Sequence, residues 1–159
     1  MSGRSVAAAA FLVALADRVT KSLVVSSMSE GESVAVIPGL LSFTYLRNPG
    51  AAFGLMAGLD APWRLGFLIT ATALITVALV WMLAHGSTSR LERVAATMIL
   101  GGAAGNLYDR IAWGEVVDFI DLYAGAWHWP AFNLADSCIT VGALALAVAS
   151  FGGGRRGRS

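Results

Sequence analysis

Charge is scarce in this chain. Only 13% of its 159 residues are Asp, Glu, Lys or Arg, against about a quarter in an ordinary soluble domain. A soluble protein with 57% hydrophobic residues and a mean hydropathy of +0.69 would expose large adhesive patches, so the fitting solvent is a bilayer. Cysteine is scarcer still. A single one, Cys138, excludes an intrachain disulfide and leaves the compartment unreadable from bridging. His85 and His128 are the whole histidine complement and lie far apart. No His-Glu-x-x-His pattern exists, so a zinc peptidase has no support. Internal repeats are absent, and the alanine run Ala7 to Ala10 is the one low-complexity stretch. The net charge of +1 gives no reason to expect a nucleic-acid partner.

Long apolar runs are what the chain does have. Leu65 to Ala84 is twenty residues without a charge, enough for a helix to cross about 30 Å of hydrocarbon. Leu134 to Phe151 is interrupted only by Asp136, and a third run extends from Leu91 towards Arg110. The fourth, Val6 to Met28, carries Asp17, Arg18 and Lys21 inside it. Arg4, the run after it and Ala14-Leu15-Ala16 also fit a cleavable secretory signal. Against cleavage, the apolar pattern resumes at Leu23-Val24-Val25. The expected fold is therefore a mainly α membrane protein, one domain over residues 1–151 with spans near 6–28, 65–84, 91–110 and 134–151. Residues 152–159 are expected to be a flexible cytoplasmic tail.

Lysine and arginine counts orient the spans. With both termini inside, the cytoplasmic pieces hold Arg4, Arg90, Arg93, Arg155, Arg156 and Arg158, and Glu92 is their only acid. Trp63, Trp81, Trp113, Trp127 and Trp129 all fall at expected boundaries, where an indole keeps its ring buried and its N–H wet. In the first outer segment, Val34 to Leu46 is β-branched and aromatic and is broken by Pro38-Gly39, the pattern of a short hairpin lying on the membrane. Asn48-Pro49-Gly50 then turns into Ala51-Ala52-Phe53-Gly54, a candidate short helix.

Two acids in this apolar setting point to chemistry. Asp118 lies in Val116-Val117-Asp118-Phe119-Ile120 and Asp136 in Phe132-Asn133-Leu134-Ala135-Asp136, both at the same membrane edge. Ionisable groups at such depth mark functional sites by default, and two carboxyls brought together divide into an acid and a base. Asn48, Asn106, Arg110 and Asn133 project to the same face. Asn133 and Asp136 also have the spacing of a capping box, which alone accounts for an acid at that position. Asp17 and Lys21, four apart, share a helix face as an ion pair that supports a site rather than performs chemistry. Gly101 and Gly105 fit close helix packing. Lys21 with Ser22 makes a poor Ser–Lys peptidase, because adjacent residues point to different helix faces. Cys138 reads as a small buried thiol. A proton-coupled transporter or channel is the rival from another class, and it would need acids lining a route across the membrane.

The chain resembles the bacterial lipoprotein signal peptidase family, also called signal peptidase II. Five blocks carry the resemblance in order: Asp17-Arg18-Val19-Thr20-Lys21; Asn48-Pro49-Gly50-Ala51-Ala52-Phe53-Gly54; Gly101 to Arg110; Val116-Val117-Asp118-Phe119; and Phe132-Asn133-Leu134-Ala135-Asp136-Ser137. One departure is the short loop Trp127-His128-Trp129-Pro130 before the last block. The resemblance implies a multi-pass inner-membrane aspartyl endopeptidase with four transmembrane helices, a periplasmic β-cradle and a short lid helix. It implies removal of signal peptides from prolipoproteins, just before a diacylglyceryl cysteine. The chain is expected to act as a monomer among membrane lipids. Asp118 and Asp136 would be catalytic. Asn48, Asn106, Arg110 and Asn133 would line the substrate site, supported by Asp17 and Lys21. No metal or other cofactor is expected.

Overall fold

The computed structural model describes residues 1–50 and 61–153. The candidate helix at Ala51 to Gly54 and most of the expected tail lie outside the described residues. Four long helices dominate: α1 (Gly3–Ser27), α2 (Ala61–His85), α3 (Arg90–Trp113) and α4 (Leu134–Gly153). A small antiparallel sheet is added by β1 (Ser33–Ile37), β2 (Leu41–Asn48), β3 (Val116–Ala124) and β4 (Trp127–His128), in the order β1-β2-β3-β4.

Each element has a local cause. Ser89 caps α3 reciprocally with Glu92: the Glu92 amide donates to the Ser89 hydroxyl at 3.2 Å, and the Ser89 amide donates to the Glu92 carboxylate at 2.6 Å. Gly114, at φ +77°, ends α3 in the left-handed conformation that a side chain would resist. The hairpin turns at Pro38-Gly39: the Leu40 amide donates to the Ile37 carbonyl at 3.0 Å, and Gly39 takes φ +82°. A turn with proline second and a positive-φ glycine third is type II.

Among the described residues, Pro62–His85 and Leu134–Phe151 are long and apolar enough to cross a membrane. α1 and α3 fall short of that measure because they carry Asp17, Arg18, Lys21, Asn106, Asp109 and Arg110. Of these, Asp17, Lys21, Asn106 and Asp109 are buried, while Leu12, Leu23, Leu74, Val77, Leu144 and Val148 are exposed. Polar groups inside and aliphatic groups outside is the inverse of a soluble bundle and suits a hydrocarbon surround.

Glycine lets α3 sit at the centre. A Cβ on Gly101 would lie 2.7 Å from the Ala10 carbonyl oxygen of α1, and one on Gly102 would lie 2.5 Å from the Ala135 carbonyl oxygen of α4. On α4, a Cβ at Gly142 would be 2.8 Å from the Ala95 carbonyl oxygen of α3. Small residues at these crossings bring backbones together, and with them the polar side chains one turn away.

Strand β3 is absent from the sequence-based expectation, which gives a hairpin in the first outer segment alone. It pairs with β2 through Leu46↔Asp118, Arg47↔Val117 and Asn48↔Val116. It is also tied to the entrance of α4: the amides of Phe119 and Ile120 both donate to the Phe132 carbonyl, at 3.0 and 2.8 Å, and the Phe132 amide returns a bond to Ile120. Those bonds position the site.

Candidate active site

Asp118 projects from near the start of β3, and Asp136 from the first turn of α4. Both line one cleft of about 510 Å³, together with Asn48, Arg110, Trp129 and Phe132. Asn133, fully buried, connects the two acids. Its side-chain Nδ2 donates to Asp118 Oδ1 at 2.7 Å, and its backbone N–H donates to Asp136 Oδ2 at 3.3 Å. The Asp136 amide donates back to Asn133 Oδ1 at 2.9 Å. The capping box expected from the sequence is therefore present, and it is part of the site at the same time.

The other oxygen of each acid is also met by an amide. Asn48 Nδ2 donates to Asp118 Oδ2 at 2.8 Å, and Asn106 Nδ2 donates to Asp136 Oδ1 at 2.7 Å. Each asparagine is oriented from behind through its own oxygen. The Gly50 amide donates to Asn48 Oδ1 at 3.0 Å, and Lys21 Nζ donates to Asn106 Oδ1 at 2.9 Å. The amide directions are thus fixed by chemistry and do not depend on side-chain packing alone.

Burial pushes the Asp118 carboxyl up to about 7. The Asn48 bond opposes the shift, the Asp136 charge adds to it, and Asn133 and Lys21 oppose it again. Arg110 lies close enough to interact electrostatically with Asp109, Asp118 and Asp136. Its Nε is buried and has no hydrogen-bond partner among the described residues. A donor left in that condition at a cleft is available to an incoming acceptor.

Behind this layer lies a charged cluster. Lys21 and Asp17, expected as an i,i+4 pair, are 2.7 Å apart and fully buried. Asp17 has a further task, since its Oδ1 accepts the Ala135 amide of α4 at 2.9 Å. Asp109 is the residue sequence reasoning passed over. It is completely buried, 2.8 Å from Lys21 and 3.2 Å from Arg18. An acid three positions after Asn106 on the same polar stripe was the available signal. The structure brings all eight candidate site residues into one connected region.

The comparisons with known proteins now decide the family. The profile of Signal peptidase (SPase) II matches residues 9–152. The chain belongs to the signal peptidase II family. Among curated relatives it is similar to the lipoprotein signal peptidase of Syntrophus aciditrophicus strain SB, 44% identical over 86% of each chain. It is 46% identical to that of Geobacter sulfurreducens, over 83% of this chain and 82% of the relative. Among solved structures, a bacterial membrane enzyme determined by the in meso method at 2.3 Å superposes with a TM-score of 0.87 at 33% identity, covering 99% of this chain and 93% of that one. Membership makes the chain a peptidase, and Asp118 and Asp136 both line the cleft described above.

Proposed function

We propose that this chain is an intramembrane aspartyl endopeptidase that removes signal peptides from prolipoproteins, cutting N-terminal to a diacylglyceryl cysteine. The observation that carries the reading is the joining of two carboxyls, from a strand and a helix, at one cleft, with every oxygen held by an amide donor. Asp118, the more deeply buried, holds the proton. Asp136 is the ionised partner and takes a proton from water as the water oxygen attacks the scissile carbonyl carbon. Asp118 gives its proton to the carbonyl oxygen. Collapse of the tetrahedral intermediate breaks the C–N bond: the proton collected by Asp136 passes to the leaving cysteine nitrogen, and a hydroxyl proton of the intermediate returns to Asp118. Arg110 and the three asparagines orient the peptide and the acids, which converts binding into reactive geometry.

Four membrane spans, one per helix, complete the reading. Both termini lie in the cytoplasm and the cleft opens near the outer face of the inner membrane. The sheet rests on that face, and the chain acts as a monomer. Inward-facing charge on α1 and α3 reconciles their low hydropathy with a lipid surround. Lipid-linked substrates favour such a location, because removing acyl chains from the bilayer costs about 0.8 kcal/mol per CH₂. The test is cleavage of a diacylglyceryl-modified prolipoprotein reporter by purified wild-type, Asp118→Asn and Asp136→Asn proteins. Wild-type cleavage with loss in both variants is expected. Near-normal turnover by either variant removes that residue from the mechanism.

A further inference from the structure

Asp109 takes no part in the cleavage proposed above, yet it is a fully buried acid on α3. Its surroundings give it a purpose. Lys21 Nζ donates to Asn106 Oδ1 at 2.9 Å and lies between two carboxylates as an ion pair with each, 2.7 Å from Asp17 Oδ2 and 2.8 Å from Asp109 Oδ2. The two carboxylates therefore hold the ammonium in place against Asn106 by charge. Because Lys21 occupies Asn106 Oδ1, the same amide must present its nitrogen to Asp136. Asn133 Nδ2 also donates to Asn106 Oδ1, at 3.3 Å. A reversed Asn106 amide would place an oxygen against the Asp136 carboxylate and a nitrogen against the ammonium.

We infer that Asp109 is a positioning residue, which grips Lys21 so that Asn106 is held with its N–H₂ on Asp136. The inference rests on the proposed reading of the dyad. Arg18 completes the arrangement. Its Nη1 donates to Asp109 Oδ1 at 3.2 Å while its guanidinium stacks over Trp113 at 4.3 Å and Tyr108 at 5.3 Å. Two acids (Asp17, Asp109) then balance two cations (Lys21, Arg18) behind the asparagines. Without the Asp109 charge, Lys21 is drawn to Asp17 alone and the grip on Asn106 is released. The cluster also becomes net positive. The charged groups around the dyad, besides the two acids themselves, are Lys21 from α1 and Arg110 from α3, with Asp17 and Arg18 from α1 and Asp109 from α3 behind them. A net positive charge behind it favours ionised carboxyls, so activity that needs a protonated Asp118 is lost at lower pH.

The experiment is steady-state cleavage of the same reporter by full-length Asp109→Asn protein across a pH series, with rates normalised to folded enzyme measured by size exclusion. The expected result is a kcat lowered on the order of 10²-fold, a KM within about twofold of wild type, and a basic limb moved to lower pH. Arg18→Gln is the companion variant. Its side chain is 32% exposed, so the fold tolerates the change, and it removes a positive charge. Its basic limb is expected to move to higher pH, and this variant alone decides the matter if Asp109→Asn does not fold. Wild-type kcat per folded Asp109→Asn enzyme, or basic limbs that stay in place, overturns the inference. Failure of the wild-type enzyme to cleave the reporter would instead overturn the proposed function.

Discussion

Gly102 lies where α3 crosses the first turn of α4, and an added methyl group there meets backbone. Its Cβ would be 2.5 Å from the Ala135 carbonyl oxygen, 3.2 Å from the Ala135 carbonyl carbon and 2.9 Å from Ile139 Cγ1. Ordinary contact begins near 3.4 Å, so the two helices must separate by about 0.9 Å (3.4 minus 2.5). A carbonyl cannot rotate away as a side-chain terminus can, and the displaced turn carries Asp136. Overpacking of this kind costs about 1–3 kcal/mol of stability. A misplacement near 1 Å at reacting groups lowers kcat on the order of 10²-fold. Reporter cleavage by purified Gly102→Ala protein reads the second effect, and thermal unfolding in detergent reads the first. Gly66→Ala on α2 is the control, because nothing lies within 4 Å of its added Cβ. A Gly102→Ala enzyme with kcat within about twofold of the Gly66→Ala control would show that helix approach does not set the Asp136 position.

Four further outcomes are expected. With Asp118 held near 7 by burial, kcat/KM should fall as pH rises through about 7 in a pH–rate series. Because that value lies above the usual aspartate range, the carboxyl's contribution to stability is full below about pH 4 and is lost as pH rises through about 7. The wild-type Tm should therefore fall over that interval, and a Tm that rises instead contradicts the burial argument. Lys21→Met strands Asp17 and Asp109 without their shared cation and should cost about 3–5 kcal/mol in detergent unfolding; a cost below about 1 kcal/mol would mean that the pair is not buried as described. Cysteines placed at His85 and Trp127 should react with an impermeant reagent from opposite sides of the membrane, and labelling from one side removes the four-span topology.

The parts of the site built on short spacings were legible in the sequence. Asp17 with Lys21 is an i,i+4 relation, and Asn133 with Asp136 is a cap relation, so each announces itself within one helical turn. The hairpin was legible too, because Pro38-Gly39 dictates a turn type. What stayed hidden depends on contacts across the chain. β3 carries Asp118 and Asp121 within an otherwise apolar run, which disguises its strand pattern, and its partner β2 lies some seventy residues earlier. Asp109 stood inside a recognised block, but its role depends on Arg18 and Lys21, about ninety residues away. Asp17 as a ligand to the Ala135 amide needed the α1–α4 approach, which no local pattern reports.

The double attachment of Asn133 has a consequence for the way the enzyme meets its surroundings. Bilayers differ in thickness, and spanning helices respond by changing tilt. Here the two acids are referenced to the amide and backbone nitrogens of one residue, so their separation is governed by that residue's bond lengths and torsions. α2 can lean without disturbing it. Turnover should accordingly be nearly constant in vesicles of graded acyl-chain length, a tolerance suited to a peptidase working on the proposed lipid-linked substrates.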